Sequence, residues 1–374
     1  MTGQRPSVTT FLIKPVGDRC DLACAHCFYR PGTGIPGAVM EPSTLAALTE
    51  QALAEADSPV VFAWQGGEPT LAGTGFYEEA LSQQRRFARH GQLVANAFQT
   101  NGLLIDEQWS DFLSSNGFLV GLSIDGPAGL HDALRRTPAG TGSHGQAVRA
   151  WRLLRGRGCE VNLLCVVRRE NCPHPERVYQ HLTADLGADH LQFIPCLAPE
   201  GSDHALPAGA YGRFLIAVFE LWAAEATRAI SVKLFDDLIL FLAGKPMRDC
   251  MCSAACDSHL VVERDGSVYP CDFFVGGQSL LGSIRTDRLA DLRASAAAQA
   301  FRDRKQAERP MVCARCRHLD LCQGGCPWFW RGEGSQRRQA LCEDMAPFLD
   351  HCRGPMEQMA SAIRARWQRA GRPG

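Results

Sequence analysis

Seventeen cysteines are the feature that most constrains how this 374-residue chain can fold. Eleven of them fall into three groups, which are Cys20, Cys24 and Cys27; Cys250, Cys256 and Cys271; and Cys313, Cys316, Cys322, Cys326 and Cys342. In a reducing compartment thiols are kept reduced, so clustered cysteines there indicate metal binding more than disulfides. We therefore predict metal centres in two parts of the chain, one near residue 20 and one beyond residue 250.

The remaining composition narrows the class of protein. The run from Met1 to Pro15 has no apolar stretch long enough for a signal peptide, and no segment reaches the ~20 apolar residues of a membrane helix. We therefore expect a cytoplasmic protein with no membrane partner. A net charge of −1 and a pI near 6.8 create no field that would attract nucleic acid, so we expect none as a partner.

Short apolar runs alternate with segments of helical composition as far as about residue 235. The predicted strands are Phe11 to Lys14, Val60 to Trp64, Leu93 to Phe98, Phe118 to Ser123, Val161 to Val167 and His190 to Ile194. Pro42 to Ala56 reads as a helix after the first strand, with an apolar stripe and a proline in its first turn. Alternating strands and helices predict an α/β fold with a parallel sheet, and six such units suggest a partial barrel.

The chain changes character near Arg248. Beyond it cysteines and glycines are frequent, apolar runs are short, and Arg264 to Ser267 predicts a hairpin turn. Metal must supply much of the stability of such a region. We predict a barrel over 1–235, a linker over 236–249, a cysteine-rich domain over 250–345 and a helical surface segment over 346–374.

The first cysteine group, C-x3-C-x2-C, follows the first predicted strand directly. Three thiolates can hold three irons of a cubane and leave the fourth iron open to a ligand. A zinc site lacking one ligand and buried free thiols are the alternatives. The strand context favours the cluster, because loops at the carboxyl ends of barrel strands carry the chemistry of such folds.

Cys20-Asp-Leu-Ala-Cys24-Ala-His-Cys27 resembles the signature of the radical S-adenosylmethionine superfamily, whose fold is a partial (β/α)6 barrel. His26 departs from that family's usual aromatic residue. Gln65-Gly-Gly-Glu-Pro69 resembles the family's second signature, which binds the amino group of the cofactor's methionine moiety. The resemblance thus implies cofactor contacts from Gly66, Gly67 and Glu68, and from Ser123 and Asp125 after the fourth strand.

Eight further cysteines are enough for two complete four-cysteine sets, with zinc as the main rival metal. Their pattern resembles the SPASM extension of radical enzymes that modify peptides, in which two auxiliary [4Fe–4S] clusters are fully ligated by cysteine. The resemblance implies one set of Cys250, Cys256, Cys271 and Cys326 and another of Cys313, Cys316, Cys322 and Cys342. Cys252 lies inside the first set and competes as a ligand. The implied cofactors are three [4Fe–4S] clusters and S-adenosylmethionine.

Within the superfamily, the chain most resembles the anaerobic sulfatase-maturating enzymes. The stretches that carry this resemblance are Leu12 to Pro15, Cys27 to Tyr29, Gln65 to Gly73, Gln99 to Gly102, Phe118 to Pro127 and Asp265 to Phe273. These enzymes oxidise a cysteine or serine of a sulfatase to Cα-formylglycine. The implied partners are a sulfatase with a Cys/Ser-x-Pro-x-Arg type motif and an electron donor such as flavodoxin or ferredoxin.

The same resemblance implies roles for single residues. Asp272, next to the cluster ligand Cys271, is implied as the catalytic base, and Tyr29 is the next candidate for that role. Further implied residues are His26, Arg135 and Leu197 as cofactor contacts, and Tyr29, Gln65 and Gln99 around the substrate.

Two other functions fit parts of this pattern. Related SPASM proteins form thioether or carbon–carbon crosslinks in ribosomal peptides with the same radical machinery. A non-enzymatic zinc or cluster protein would account for the cysteines alone.

Overall fold

The computed structural model describes residues 9–29, 39–55, 59–196, 204–225 and 230–370. The chain divides into two compact units, each assembled from three segments. The first unit comprises 1–123, 135–161 and 256–303, and the second comprises 124–134, 162–255 and 304–374. None of the described helices is both long and apolar enough to cross a bilayer.

The first unit is a sheet with helices between its parallel strands. Its strands are β1 Thr9–Ile13, β2 Val60–Trp64, β3 Val94–Thr100, β4 Leu119–Ser123, β8 Leu260–Val262, β9 Ser267–Tyr269 and β10 Gly282–Ser283. Its helices are α1 Pro42–Glu55, α2 Thr74–Phe87, α3 Glu107–Ser115, α5 His144–Gly156, α9 Leu289–Ala294 and most of α10 Ala296–Ala307.

Strand order in the first unit is β10-β9-β8-β1-β2-β3-β4. The strands from β8 to β4 run parallel, whereas β8, β9 and β10 form antiparallel pairs. β8 pairs with β1 in the register Ile13↔Val262, and the Lys14 N–H donates to the Val262 carbonyl at 3.0 Å. This pairing brings the residues after β1 close to those after β8, although about 250 positions separate them in sequence.

The second unit combines a smaller parallel sheet with a helical layer. Its strands are β5 Glu160–Val167, β6 His190–Pro195, β7 Ser231–Val232, β11 Trp330–Arg331 and β12 Arg338–Gln339. The first two residues of β5 belong to the first unit. Its helices are α4 Ala128–His131, α6 Pro175–Gln180, α7 Ala210–Ala224, α8 Lys233–Leu242, α11 Leu319–Cys322 and α12 Cys342–Arg369. β5, β6 and β7 are parallel in that order, and the Phe235 ring of α8 stacks on the Phe348 ring of α12.

All six predicted strands and the predicted helix after β1 are present. The hairpin predicted around residues 264–267 is also present, as the turn between β8 and β9. The first strand was placed too late, because it ends at Ile13 and leaves Lys14 in the following loop. Ala56, the last residue of the predicted helix, lies outside the described residues.

The C-terminal segment is a helix, as predicted, but it begins before residue 346 and one side of it is buried. α12 begins at Cys342, and its inner side is buried through Met345, Phe348, Leu349, Cys352, Met356 and Ala360. Those apolar positions pack in the second unit, so α12 belongs to a core. The predicted linker over 236–249 begins inside α8, which buries Leu238 and Ile239.

Candidate active site

The loop that carries the first cysteine group is fixed by a glycine-rich turn after β2. The Gly67 N–H donates to the Gly17 carbonyl at 2.8 Å, and the Glu68 N–H donates to the Arg19 carbonyl at 2.7 Å. A Cβ atom on Gly67 would lie 1.8 Å from the Arg19 carbonyl oxygen, so only glycine permits this approach. Gly66 has a φ of +122°, which also favours glycine. The predicted cofactor turn and the cysteine loop are therefore one packed structure.

Glu68 is buried in that structure and accepts four hydrogen bonds. Its Oε1 accepts from the Thr70 N–H at 3.1 Å and from the hydroxyls of Thr70 and Thr100 at 2.7 Å each. Its Oε2 accepts from the Asn101 N–H at 2.8 Å. Burial raises the pKa of Glu68 to about 7, against the lowering effect of these donors. The carboxylate joins the loops after β2 and β3.

The three thiols lie on the loop after β1 and are half-buried. Burial is the main cause that raises the pKa of Cys20 to about 12, followed by the opposing Leu22 N–H and then by Glu68, Asp21 and Cys24. Asn101 Nδ2 donates to Asp21 Oδ1 at 2.7 Å and lies 3.8 Å from Cys20 Sγ. Three thiols on one braced loop fit a cluster held by three cysteines.

Asp272 lies at the start of a short 3₁₀ helix, Asp272–Phe274, directly after Cys271. The Asp272 Oδ1 atom forms an ion pair with the ammonium group of Lys14, and its side chain is 10% exposed. Gln65 Nε2 donates to Oδ2 at 3.3 Å. The structure thus brings together the predicted base, the predicted substrate contact Gln65 and a lysine that the sequence analysis did not assign.

Tyr29 belongs to the same cluster of side chains. The Lys14 ammonium lies 3.4 Å from the centroid of the Tyr29 ring. The Tyr29 hydroxyl donates to Glu263, at 2.6 Å from Oε1 and 2.8 Å from Oε2. Burial and then the charge of Glu263 raise the pKa of Tyr29 far above its usual value. A hydroxyl held protonated in this way is a donor, so the geometry does not favour Tyr29 as the alternative base.

The other predicted cofactor contacts differ in their surroundings. Ser123 ends β4 and is buried, as are His26 and Arg135. Asp125 is fully buried and accepts from Arg168 Nη2 at 3.0 Å and from the Val166 N–H at 2.9 Å. Those bonds use both Asp125 oxygens within the protein.

The structure adds little about two further predicted contacts, Gln99 and Leu197. Gln99 lies on β3 and is exposed. Leu197 lies outside the described residues. Both remain predictions.

The four thiols of the second predicted auxiliary set lie near one another in the second unit. Burial raises the pKa of Cys322 to about 11, with the Gly324 N–H opposing and Cys313, Cys342 and Cys316 adding to the rise. Cys342 and Cys316 likewise raise the pKa of Cys313 after the larger effect of burial. Four neighbouring thiols fit a fully ligated cluster, and binding metal there must release protons because the ligands are thiolates.

The cysteines of the first predicted auxiliary set belong to different units. Cys256 and Cys271 belong to the first unit, while Cys250 and Cys326 belong to the second. Burial, Asp249 and then Cys326 raise the pKa of Cys250 to about 12. Cys250 is held by the buried Lys305, whose ammonium donates to the carbonyls of Cys250, Met251 and Ser253 at 2.7, 3.0 and 2.8 Å.

Cys252 is also buried in the second unit, and both Cys322 and Cys250 raise its pKa after burial. It therefore lies near ligands of both predicted sets. No three Cys, His, Asp or Glu side chains in the described ranges surround a point where one metal ion would fit. The assignment of ligands to clusters stays a prediction.

Four members of these clusters were not predicted from the sequence, namely Lys14, Glu263, Arg168 and Lys305. One signal was available, since Lys14 and Glu263 are charged residues placed directly after apolar strands. Charged side chains at such positions are seldom buried unless they are paired.

Models of two families match this chain. The radical SAM superfamily matches residues 15–182, and an iron–sulfur cluster-binding domain termed SPASM matches residues 250–317.

Curated relatives match over nearly the whole length. A cysteine-type anaerobic sulfatase-maturating enzyme of Clostridium perfringens is 35% identical over 95% of this chain and 99% of its own. A serine-type enzyme of Klebsiella aerogenes is 33% identical over 92% of this chain and 85% of its own. The solved structure of native anSMEcpe with bound AdoMet and Kp18Cys peptide has a TM-score of 0.90 at 32% identity, covering 95% of this chain and 99% of that one.

Proposed function

This chain belongs to the anaerobic sulfatase-maturating enzymes of the radical SAM superfamily, and from that premise we propose that it oxidises a cysteine or serine of a sulfatase to Cα-formylglycine. Its fold is a partial barrel with a SPASM domain and a C-terminal helix. The peptide present in the anSMEcpe structure supports a polypeptide substrate, and the proposed target in it is a Cys/Ser-x-Pro-x-Arg type motif. Matches to both cysteine-type and serine-type relatives leave both targets in the proposal.

We assign the cofactors as follows. Cys20, Cys24 and Cys27 hold the cluster that binds S-adenosylmethionine, and the two C-terminal sets hold one auxiliary cluster each. When bound, these groups supply the 5′-deoxyadenosyl radical that takes a hydrogen atom from the substrate Cβ and an acceptor for the electron that follows. A flavodoxin or ferredoxin is the proposed external donor.

The protein's own task is to remove a proton. A substrate radical on Cβ becomes a thioaldehyde or aldehyde when it loses one electron and the proton of its S–H or O–H group. Asp272 is the proposed acceptor of that proton. The observation that carries this proposal is the position of its carboxylate, one residue after a predicted cluster ligand and in contact with Gln65. Water then converts a thioaldehyde to formylglycine and sulfide.

The proposal is tested by mass spectrometry after anaerobic turnover of Cys-x-Pro-x-Arg and Ser-x-Pro-x-Arg peptides. Reaction stoichiometry gives a change of about −18 Da at cysteine and about −2 Da at serine, with an aldehyde that reacts with a hydrazine probe. A crosslinking enzyme would give a loss of two hydrogens with no hydrazine-reactive product. Neither change on either peptide, with 5′-deoxyadenosine still formed, would count against a sulfatase substrate.

A further inference from the structure

Lys14 is a buried charge that the proposed function leaves without a role. Its side chain is 1% exposed, and it follows β1 directly. Lysine makes up only 4 of the 39 basic residues of this chain, so arginine is the cation that the sequence uses almost everywhere. Burying an ammonium group costs several kcal/mol unless it is well paired. The groups around the Lys14 ammonium must therefore be placed so that they offset this cost.

Two groups contact the ammonium directly. One is the carboxylate of Asp272, and the other is the face of the Tyr29 ring, whose centroid lies 3.4 Å from Nζ. A compact ammonium can lie between a ring and a carboxylate, whereas a guanidinium is larger and planar. The base of the side chain is also closely packed, because a Cβ atom on Gly66 would lie 3.1 Å from the Lys14 Cβ.

Glu263 is the second carboxylate near this lysine. It is fully buried at the end of β8 and holds the Tyr29 hydroxyl with both oxygens. Burial raises the pKa of Glu263, and Lys14 is the largest influence that opposes the rise. Lys14 is thus a cation near two acids, the partly buried Asp272 and the fully buried Glu263, and Glu263 fixes the ring that packs against the ammonium.

We propose that Lys14 is a positioning residue, whose ammonium group holds the Asp272 carboxylate and the Tyr29 ring in the arrangement from which Asp272 receives the substrate proton. This inference rests on the proposed function. The ion pair with Lys14 and the hydrogen bond from Gln65 restrain the two oxygens of Asp272 separately. Each carboxylate oxygen has two lone pairs, and with one contact to Lys14 at Oδ1 and one from Gln65 at Oδ2 each oxygen keeps a lone pair. A restrained oxygen with a lone pair remaining can accept a proton without first being reoriented.

The experiment compares Lys14→Met with wild type and with Lys14→Arg, using reconstituted holoenzyme. Lys245→Met is the matched control, since Lys245 also lies over an aromatic ring, that of Trp367 at 4.6 Å, away from this cluster. Four quantities are measured: iron content, 5′-deoxyadenosine, aldehyde, and affinity for an inert peptide with alanine at the target position.

We expect Lys14→Met to keep its iron and its cofactor cleavage, and to bind the inert peptide within about threefold of wild type. The amount of aldehyde formed per 5′-deoxyadenosine should fall at least ~10-fold. Lys14→Arg should recover part of that ratio because it retains the charge. A purely structural lysine would lower both products in proportion. An unchanged ratio in Lys14→Met, or a loss confined to peptide affinity, overturns the inference.

Two controls keep the result decisive. If Lys14→Met does not retain iron, Lys14→Gln, which keeps a polar donor, is judged by the same ratio. The proposed function fails separately, in the wild-type arm, if wild type itself makes no aldehyde.

Discussion

The region around Asp272 and the region that holds the second predicted auxiliary set are organised by different forces. In the first, buried polar groups find partners within the protein, as Glu68 does with its four donors. In the second, Cys316 and Cys342 lie close enough to Cys313 and Cys322 to raise the pKa of both, after the larger effect of burial. From this comparison we expect the first site to form without metal and the second to depend on metal for its stability.

Secondary structure supports that contrast. The first site lies at the ends of β1, β2, β3 and β8, which belong to one continuous hydrogen-bonded sheet. Between residues 311 and 341 the structure consists of elements of two to five residues, such as Met311–Arg315 and α11. Short elements bury little apolar surface. Metal ligation is therefore the main cross-link expected there.

The largest effect should come from removing the first cluster. Replacing Cys20, Cys24 and Cys27 together by alanine should abolish 5′-deoxyadenosine formation while the protein stays folded. Iron should fall from about twelve to about eight atoms per chain, the content of two remaining cubanes. Anaerobic iron analysis and chromatography of the nucleoside measure both. Cofactor cleavage by the triple variant would contradict the ligand assignment, and an unfolded variant would contradict the idea that this site forms without metal.

Asp272→Asn should have the next largest effect, and it should be confined to the product. The amide keeps the shape but does not accept a proton, so formylglycine should fall at least ~10²-fold while 5′-deoxyadenosine still forms. Deuterium placed on the substrate Cβ should still reach 5′-deoxyadenosine. Asp257→Asn is the matched control, because Asp257 is exposed and also follows a predicted cluster ligand, Cys256. Equal losses in the two variants would make Asp272 a structural carboxylate.

Cys313→Ala should act on folding before it acts on chemistry. Removal of one thiolate from a four-cysteine set should lower the soluble yield several-fold and lower the thermal midpoint, because metal binding stabilises this region. Cys352→Ala is the control, since Cys352 is buried in α12 and belongs to no predicted set. Its loss should cost only about 1 kcal/mol of cavity energy. A Cys313→Ala variant with the wild-type soluble yield and iron content would contradict the idea that this region depends on metal for its stability.

The smallest effect concerns pH and Glu68. The folded protein holds this proton up to about pH 7, whereas the unfolded chain releases it near the ordinary value of 4.5. Between those values the folded state binds more protons, so the free energy of unfolding falls as pH rises, by at most about 1.4 kcal/mol per pH unit. Denaturant unfolding at several pH values between 5.5 and 7.5 measures this dependence. The free energy of unfolding should change less with pH in Glu68→Gln than in wild type. Glu78 is exposed, so Glu78→Gln should keep the wild-type dependence of the free energy of unfolding on pH. The same pH dependence in all three proteins would rule out a contribution from Glu68.

Local patterns in the sequence were sufficient for the strands and for the residues in signature motifs. Val60–Trp64 was predicted to the residue, because a short apolar run between turn residues has few alternatives. Gln65 and Asp272 were placed in one site by resemblance, and the structure puts them in contact.

The contacts of Lys14 and Glu263 were not predictable in this way. They depend on β8, a strand of only three residues, pairing in parallel with β1. No local pattern indicates which strand such a short segment will join. Burial of α12 was missed for a related reason, since charged residues alternate with its apolar positions and conceal the stripe.

The carboxylate of Asp344 has a consequence for the order of assembly during synthesis. It accepts hydrogen bonds from backbone N–H groups at the start of α7, including Gly212 at 3.0 Å, across 132 residues of sequence. α7 therefore leaves the ribosome long before the group that caps it, and the predicted ligand Cys342 emerges together with that cap. Both compact units also contain segments from beyond residue 255. Domains fold as their chain leaves the ribosome, so neither unit can be completed before its C-terminal segment has been made. Cluster insertion into the second unit is therefore expected to follow translation.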